Sequence, residues 1–235
     1  GRYTYAECEK RVHFKSERMQ NTVLVEGGQY PSIESSWGYR WVAKHLSMQI
    51  KKEDELYYFE AQWSIPMKDN ETSSRAYISR KLILDTQAKL LLVIDEEECG
   101  HALTQNFIIP TKYSSKVYSR FWTNGEMVTE AIQYSKRYNS LDEGIQLNIR
   151  NKKGPIFTCV ALEPYSVEKE SIPRLDCPGE ERGTKIKCKT KSGELTIYYS
   201  PEDIHNGLKY LKDSNGNIVY GRMGVKKNNQ TIRFR

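Results

Sequence analysis

The chain has 235 residues, 36 Lys and Arg against 30 Asp and Glu, and a net charge of +6. That length buries an ordinary apolar core unaided, which sets aside a metal- or disulfide-dependent mini-protein, and no apolar run approaches the roughly 20 residues of a membrane-crossing helix. The charge is uneven: residues 178–235 hold 12 Lys and Arg against 6 Asp and Glu, so the last quarter carries the whole excess.

Strand patterns dominate the first three quarters. Tyr3–Lys15 and Thr22–Glu26 read as strands. Tyr39–Ile50 leads through the charged turn 51–55 into Leu56–Ile65. There Tyr57, Phe59, Ala61, Trp63 and Ile65 alternate with Tyr58, Glu60, Gln62 and Ser64, the mark of a half-buried strand. Ala76–Leu84 and the apolar run Leu90–Ile94 flank Asp85-Thr86-Gln87 as a hairpin, and the acidic run Asp95–Glu98 after it reads as a solvated turn guarding a strand end. Ala102–Ile109 is a further strand. Val117–Trp122, Asn124-Gly125 and Met127–Tyr134 carry the strongest hairpin signal of the chain, because Asn-Gly accepts positive φ at both turn positions. Gly144–Arg150 turns Ile145, Leu147 and Ile149 inward and Gln146, Asn148 and Arg150 outward, and 151–154 makes a hairpin to Pro155–Tyr165.

Prolines at 164, 173 and 178 then mark a linker or crossing loop. Beyond it Lys185, Lys187, Lys189 and Lys191 alternate with Ile186, Cys188 and Thr190, so an extended strand aligns the four ammonium groups on one side. A turn at Ser192-Gly193 returns the chain with Glu194, Thr196, Tyr198 and Ser200 on the lysine face, and Leu195, Ile197 and Tyr199 on the apolar face. Ser200-Pro201 opens a predicted helix with Ile204, Leu208 and Leu211 on one face and Lys209 and Lys212 at its end. A strand at Ile218–Met223, a turn at 226–229 and an alternating end around Ile232 and Phe234 follow. The chain therefore reads as mostly β: an antiparallel β-sandwich or barrel-like main domain over residues 1–166, a linker or crossing loop over 167–181, and a small basic unit of hairpin, helix and strands over 182–235.

No nucleophile elbow, phosphate-binding loop, dinucleotide fingerprint or His-Glu-x-x-His occurs, so no catalytic residues are assigned. His13, His45, His101 and His205 read as surface or satisfied structural histidines. The cysteines (Cys8, Cys99, Cys159, Cys177, Cys188) are odd in number and lack the Cys-x-x-Cys spacing of zinc sites. Cys99-Gly-His101 offers at most two ligands of a dispersed site, and neither metal nor cofactor is expected. Cys177 and Cys188 suit a disulfide only in a secreted protein. Reduced thiols point to a nuclear or cytoplasmic setting. The first residues match neither a signal peptide nor an initiator sequence, which reads as an excised piece.

The lysine row is what remains. Like charges two residues apart repel, and a polyanion screens them while releasing counterions. The leading expectation is a non-enzymatic nucleic-acid-binding protein. Lys185, Lys187, Lys189, Lys191, Lys209, Lys212, Arg222, Lys226 and Lys227 would meet phosphates, and Tyr198 would stack or pack. Arg233 and Arg235 would add donors. The competing expectation is a protein-interaction β-sandwich whose basic surface meets an acidic partner, followed by an enzyme with a dispersed site. Lysine also serves simply as a guard on exposed edge strands.

Overall fold

A computed structural model of the chain describes residues 9–31, 39, 41–68, 74–113, 120–174, 182–200, 210–221, 223–227 and 230–234. Several expectations fall outside these: the strand start Tyr3–Cys8, Val117–Ser119, Cys177, and the body of the predicted helix with His205 and Lys209. Arg222 and Arg235 also lie outside the described residues, as does the side chain of Arg233. The chain divides into two units, one of Gly1–Leu84 with Leu91–Val160, the other of Asp85–Leu90 with Ala161–Arg235. The fold is mostly β, antiparallel and sandwich-like, and among the described residues the sheets do not close into a barrel. Among the described residues no helix is long and apolar enough to cross a membrane.

The first unit is built on two sheets. One runs in the order β1 (Val23–Val25), β6 (Leu103–Pro110), β9 (Asp142–Asn151) and β8 (Glu126–Tyr134). The other runs β2 (Lys44–Glu53), β3 (Leu56–Pro66), β4 (Arg75–Asp85), β5 (Leu90–Glu97), β10 (Ile156–Ala161) and β7 (Phe121–Thr123). Val25, Leu103, Leu147 and Ile149 from the first sheet meet Ile65, Ile78 and Ile156 from the second in one buried cluster, with Trp63, Phe107 and Phe121 packed against it. Side chains alternate across each strand, so one apolar face per sheet is enough to make this core.

Three sequence readings are corrected here. Glu9–Lys15, expected as the end of a strand, is a short helix, α1, with Phe14 buried. The Asn-Gly hairpin does not form: β7 pairs with β10, while β8 pairs with β9 in the other sheet. Asn124 is a bracket instead, its side chain donating to Pro155 O at 3.0 Å and accepting from Phe157 N at 2.8 Å. Gly125 is required by close approach, since a Cβ there would lie 2.7 Å from Arg150 O. For the same reason 151–155 is a crossing between sheets and not a hairpin, because β9 lies in the first sheet and β10 in the second.

The second unit is a five-stranded antiparallel sheet in the order β11 (Tyr165–Pro173), β12 (Arg182–Thr190), β13 (Glu194–Tyr199), β16 (Met223–Lys227) and β17 (Gln230–Phe234), with a two-stranded hairpin of β14 (Tyr210–Lys212) and β15 (Ile218–Tyr220). The stretch read as a linker thus holds β11, paired with β12 along its whole length. Leu211 and Lys212, expected at the end of a helix, are extended in β14. Ile186, Cys188, Leu195, Ile197, Tyr199 and Val225 are buried on one side of the sheet. On the other side Leu211 and Val219 of the small hairpin join Ile172 and Tyr198 in a second buried cluster. That packing needs the bare backbone of two glycines: a Cβ on Gly183 would lie 2.2 Å from Leu211, and one on Gly224 2.4 Å from Val219.

Candidate functional site

The lysine strand folds with the predicted faces. Lys185 lies opposite Tyr198, Lys187 opposite Thr196 and Lys189 opposite Glu194, two residues out of the register that a turn at Ser192-Gly193 alone would set. A shift of two preserves the face of every side chain, because the period of a strand is two. What changes is the surroundings. β11 places Glu170 opposite Lys185 and Glu168 opposite Lys187. Lys185 is 8% exposed and its ammonium sits 2.9 Å from Asp213 and 3.2 Å from Glu170. Lys187 pairs with Glu194 at 3.1 Å. Lys227 is held 2.8 Å from Asp85, which is fully buried and also accepts from Ala88 N. Lys226 reaches Asn217 at 3.5 Å. Tyr198 is buried, and its hydroxyl donates to Asp213 at 3.0 Å. Lys189, Lys191 and Lys212 are exposed.

Asp213 is the centre of this arrangement. Burial alone would raise its carboxyl, but hydrogen bonds from Asn217, Lys185 and Tyr198 outweigh that and hold it well below the usual carboxylate range. Burial and the same carboxylate push the Tyr198 phenol far up. The Lys185 ammonium loses hydration, yet Asp213 and Glu170 more than compensate and its proton is held more tightly than usual. At Lys185 and Lys187 the like charges of the row are thus interleaved with opposite ones.

Three residues of the acidic run are likewise internal rather than solvated, and only Glu98 stands exposed in the turn. Asp95, Glu96 and Glu97 belong to β5 and are buried. Asp95 takes a two-pronged contact from Arg80 at 2.7 and 2.6 Å. Lys81 lies 3.5 Å from both Glu96 and Glu60, with Ser79 at 2.9 Å. Tyr58 donates to Glu60 at 2.7 Å, and Gln49 and Gln62 add further donors. Burial alone would raise the Glu60 carboxyl, but Lys81 first and then these hydrogen bonds hold it low. The Tyr58–Glu60–Ser64 side of β3 is therefore its more buried side. The lysine that faces Glu60 comes from the neighbouring strand, β4.

The first unit also carries an open cleft of about 300 Å³, which sequence reasoning missed. Phe14, Gln20, Asn21, Tyr134, Ser135 and Lys136 line it. α1 and the turn after it are fixed by amides from the sheet: Gln146, read as outward-facing, donates to Arg18 O at 2.8 Å, and Asn106 donates to Gln20 O at 2.8 Å. Asn21 Oδ1 accepts from Ile108 N at 2.7 Å. The result is a recess of mixed lining, in which Met19 and Ile108 join the two aromatic rings and the amides of Gln20 and Asn21 stand beside one lysine.

The class defined by these features is an antiparallel, sandwich-like β protein of two units, with paired charges buried in each. No protein-family model matches the sequence, and no curated protein is similar to it in sequence. Solved structures do match in fold. Heparinase III, the BT4657 gene product, superposes with a TM-score of 0.55 over 85% of this chain at 13% identity. The heparan sulfate lyase HepC from Pedobacter heparinus gives 0.54 over 88% at 12% identity. The chain spans about a third of either structure, 33% and 34%. These likenesses overturn the nucleic-acid reading: the fold is shared with heparinase III and a heparan sulfate lyase, and in the row that carried that reading Lys185 and Lys187 are paired with carboxylates while Lys189 and Lys191 stay exposed.

Proposed function

We propose that this chain is the β-sandwich part of a polysaccharide lyase-like protein and that it holds an acidic polysaccharide. The observation that carries the reading is the shared fold over 85% of the chain with heparinase III. The cleft supports it. Tyr134 supplies an aromatic face for a sugar ring, the amides of Gln20 and Asn21 suit hydroxyl groups, and the exposed Lys136 suits a carboxylate or sulfate. Exposed Lys189 and Lys191 on the second unit offer further cationic contacts. The pairing of Lys185, Lys187 and Lys227 with carboxylates favours discrete contacts over a continuous phosphate-tracking stripe.

The test is calorimetric titration of the chain with heparan sulfate, chondroitin sulfate and an uncharged polysaccharide. Selective binding of an acidic polysaccharide is expected, and Tyr134→Ala should weaken it about tenfold, the loss of one stacking contact. Elimination leaves an unsaturated sugar that absorbs in the ultraviolet, so the same solutions report cleavage. Equal, weak binding to all three polysaccharides would sink the proposal.

A further inference from the structure

The turn that follows β5 gathers three donors of different chemistry outside the cleft. Glu97 closes the strand, Cys99 and His101 follow at every second residue, and the ligand atoms of all three lie within 4.8 Å of one another. Glu97 is the anchor: its carboxylate is buried, Oε2 accepts from His101 N at 2.8 Å, and Oε1 lies 3.0 Å from His101 Nδ1. Glu98 N donates to Tyr77 O at 3.1 Å and ties the turn to the neighbouring strand. Gly100, at φ +82°, supplies the left-handed step that brings residue 101 back toward residue 97, and nothing stands within 4 Å of where its Cβ would be.

We infer that Glu97, Cys99 and His101 form a binding site for a borderline divalent cation of the zinc type. One thiol, one imidazole and one carboxylate make a donor set too soft for calcium or magnesium and apt for zinc. Ligands around tetrahedral zinc stand about 3.3–3.8 Å apart, given bonds of about 2.0–2.3 Å, so the triangle needs only a modest contraction. The exposed Cys99 and half-exposed His101 leave the fourth position to water or to a ligand. A nucleophilic role for Cys99 fits poorly. Desolvation and the Glu97 carboxylate raise its thiol above the ordinary value, and His101 is turned to Glu97. A cation reverses that balance, since its charge displaces the thiol proton. The inference stands independently of any polysaccharide.

Titration of the metal-stripped chain with cobalt(II) tests it. One ion per chain should bind with a thiolate-to-cobalt band in the near ultraviolet. Zinc(II) should displace the cobalt, and the apparent affinity should fall as the pH is lowered. Cys99→Ser should abolish the band. His101→Gln should weaken binding at least about tenfold. Both side chains are outside the core, so circular dichroism should be unchanged in either variant. Absence of the band in the parent chain, or a band that survives Cys99→Ser, overturns the assignment.

Discussion

Asp213 binds Lys185, Tyr198 and Asn217 at once, which makes it the residue on which the second unit turns. Removing it would leave a buried ammonium with only Glu170 and a buried phenol without its acceptor. Asp213→Ala should therefore cost about 3 kcal/mol in urea unfolding, the low end for one member of a buried pair. The pH dependence has a definite sign. The folded carboxyl titrates below its ordinary value of 3.8. Its contribution is thus complete above that pH and is lost as the pH falls beneath it. The parent chain should lose more stability than Asp213→Asn between about pH 4 and pH 2. Equal losses in the two proteins would show that the network does not govern acid stability. The charge pairs were partly legible. Arg80 stands five residues before Asp85 and Asp95 five after Leu90, so folding about that turn already pairs them. The partners of Lys185 were not: Asp213 reaches it only because the β14–β15 hairpin lies on the lysine face.

At the level of elements, two strands invite direct tests. β12 carries Gly183 where Leu211 presses on the sheet. Gly183→Val should destabilise the protein by about 1–3 kcal/mol through overpacking, measured as a shift in denaturation midpoint. Ala at the same site should do so less. β2 lies at the edge of its sheet and leaves Met48 and Ile50 60% and 66% exposed. An exposed apolar edge strand is a template for self-association. Met48→Lys with Ile50→Lys should raise the concentration at which light scattering reports a monomer, with a stability change within about 0.5 kcal/mol. Alternation placed nearly every strand, since it records which side chains each face demands. It misplaced the 9–15 segment, where α1 forms, and it assigned two hairpins that are crossings between sheets. Asn-Gly is a hairpin signal only if the strands on either side prefer each other. Here Asn124 bonds to Pro155 and Phe157, and the flanking strands pair elsewhere.

On the scale of the molecule, the contacts separate two units, the second of which takes in Asp85–Leu90. Cooperative units reveal themselves in hydrogen exchange. Asp213→Asn should accelerate exchange in β12, β13 and β16 by a common factor while amides of β6 and β9 keep their protection. Uniform acceleration across both sets would mean that the two unfold as one.

The residue pattern alone determined that this is a strand protein, which faces of β12 and β13 are apolar or basic, and where most strands lie, because a period of two is a local property of the chain. Tertiary structure alone decided which strands are neighbours, whether the basic face meets water or carboxylates, and that α1 and β8 border a cleft. Those outcomes depend on groups far apart in sequence, whose meeting no local period encodes. The charge of a lysine is written in the chain, but its availability is set by whatever folds over it.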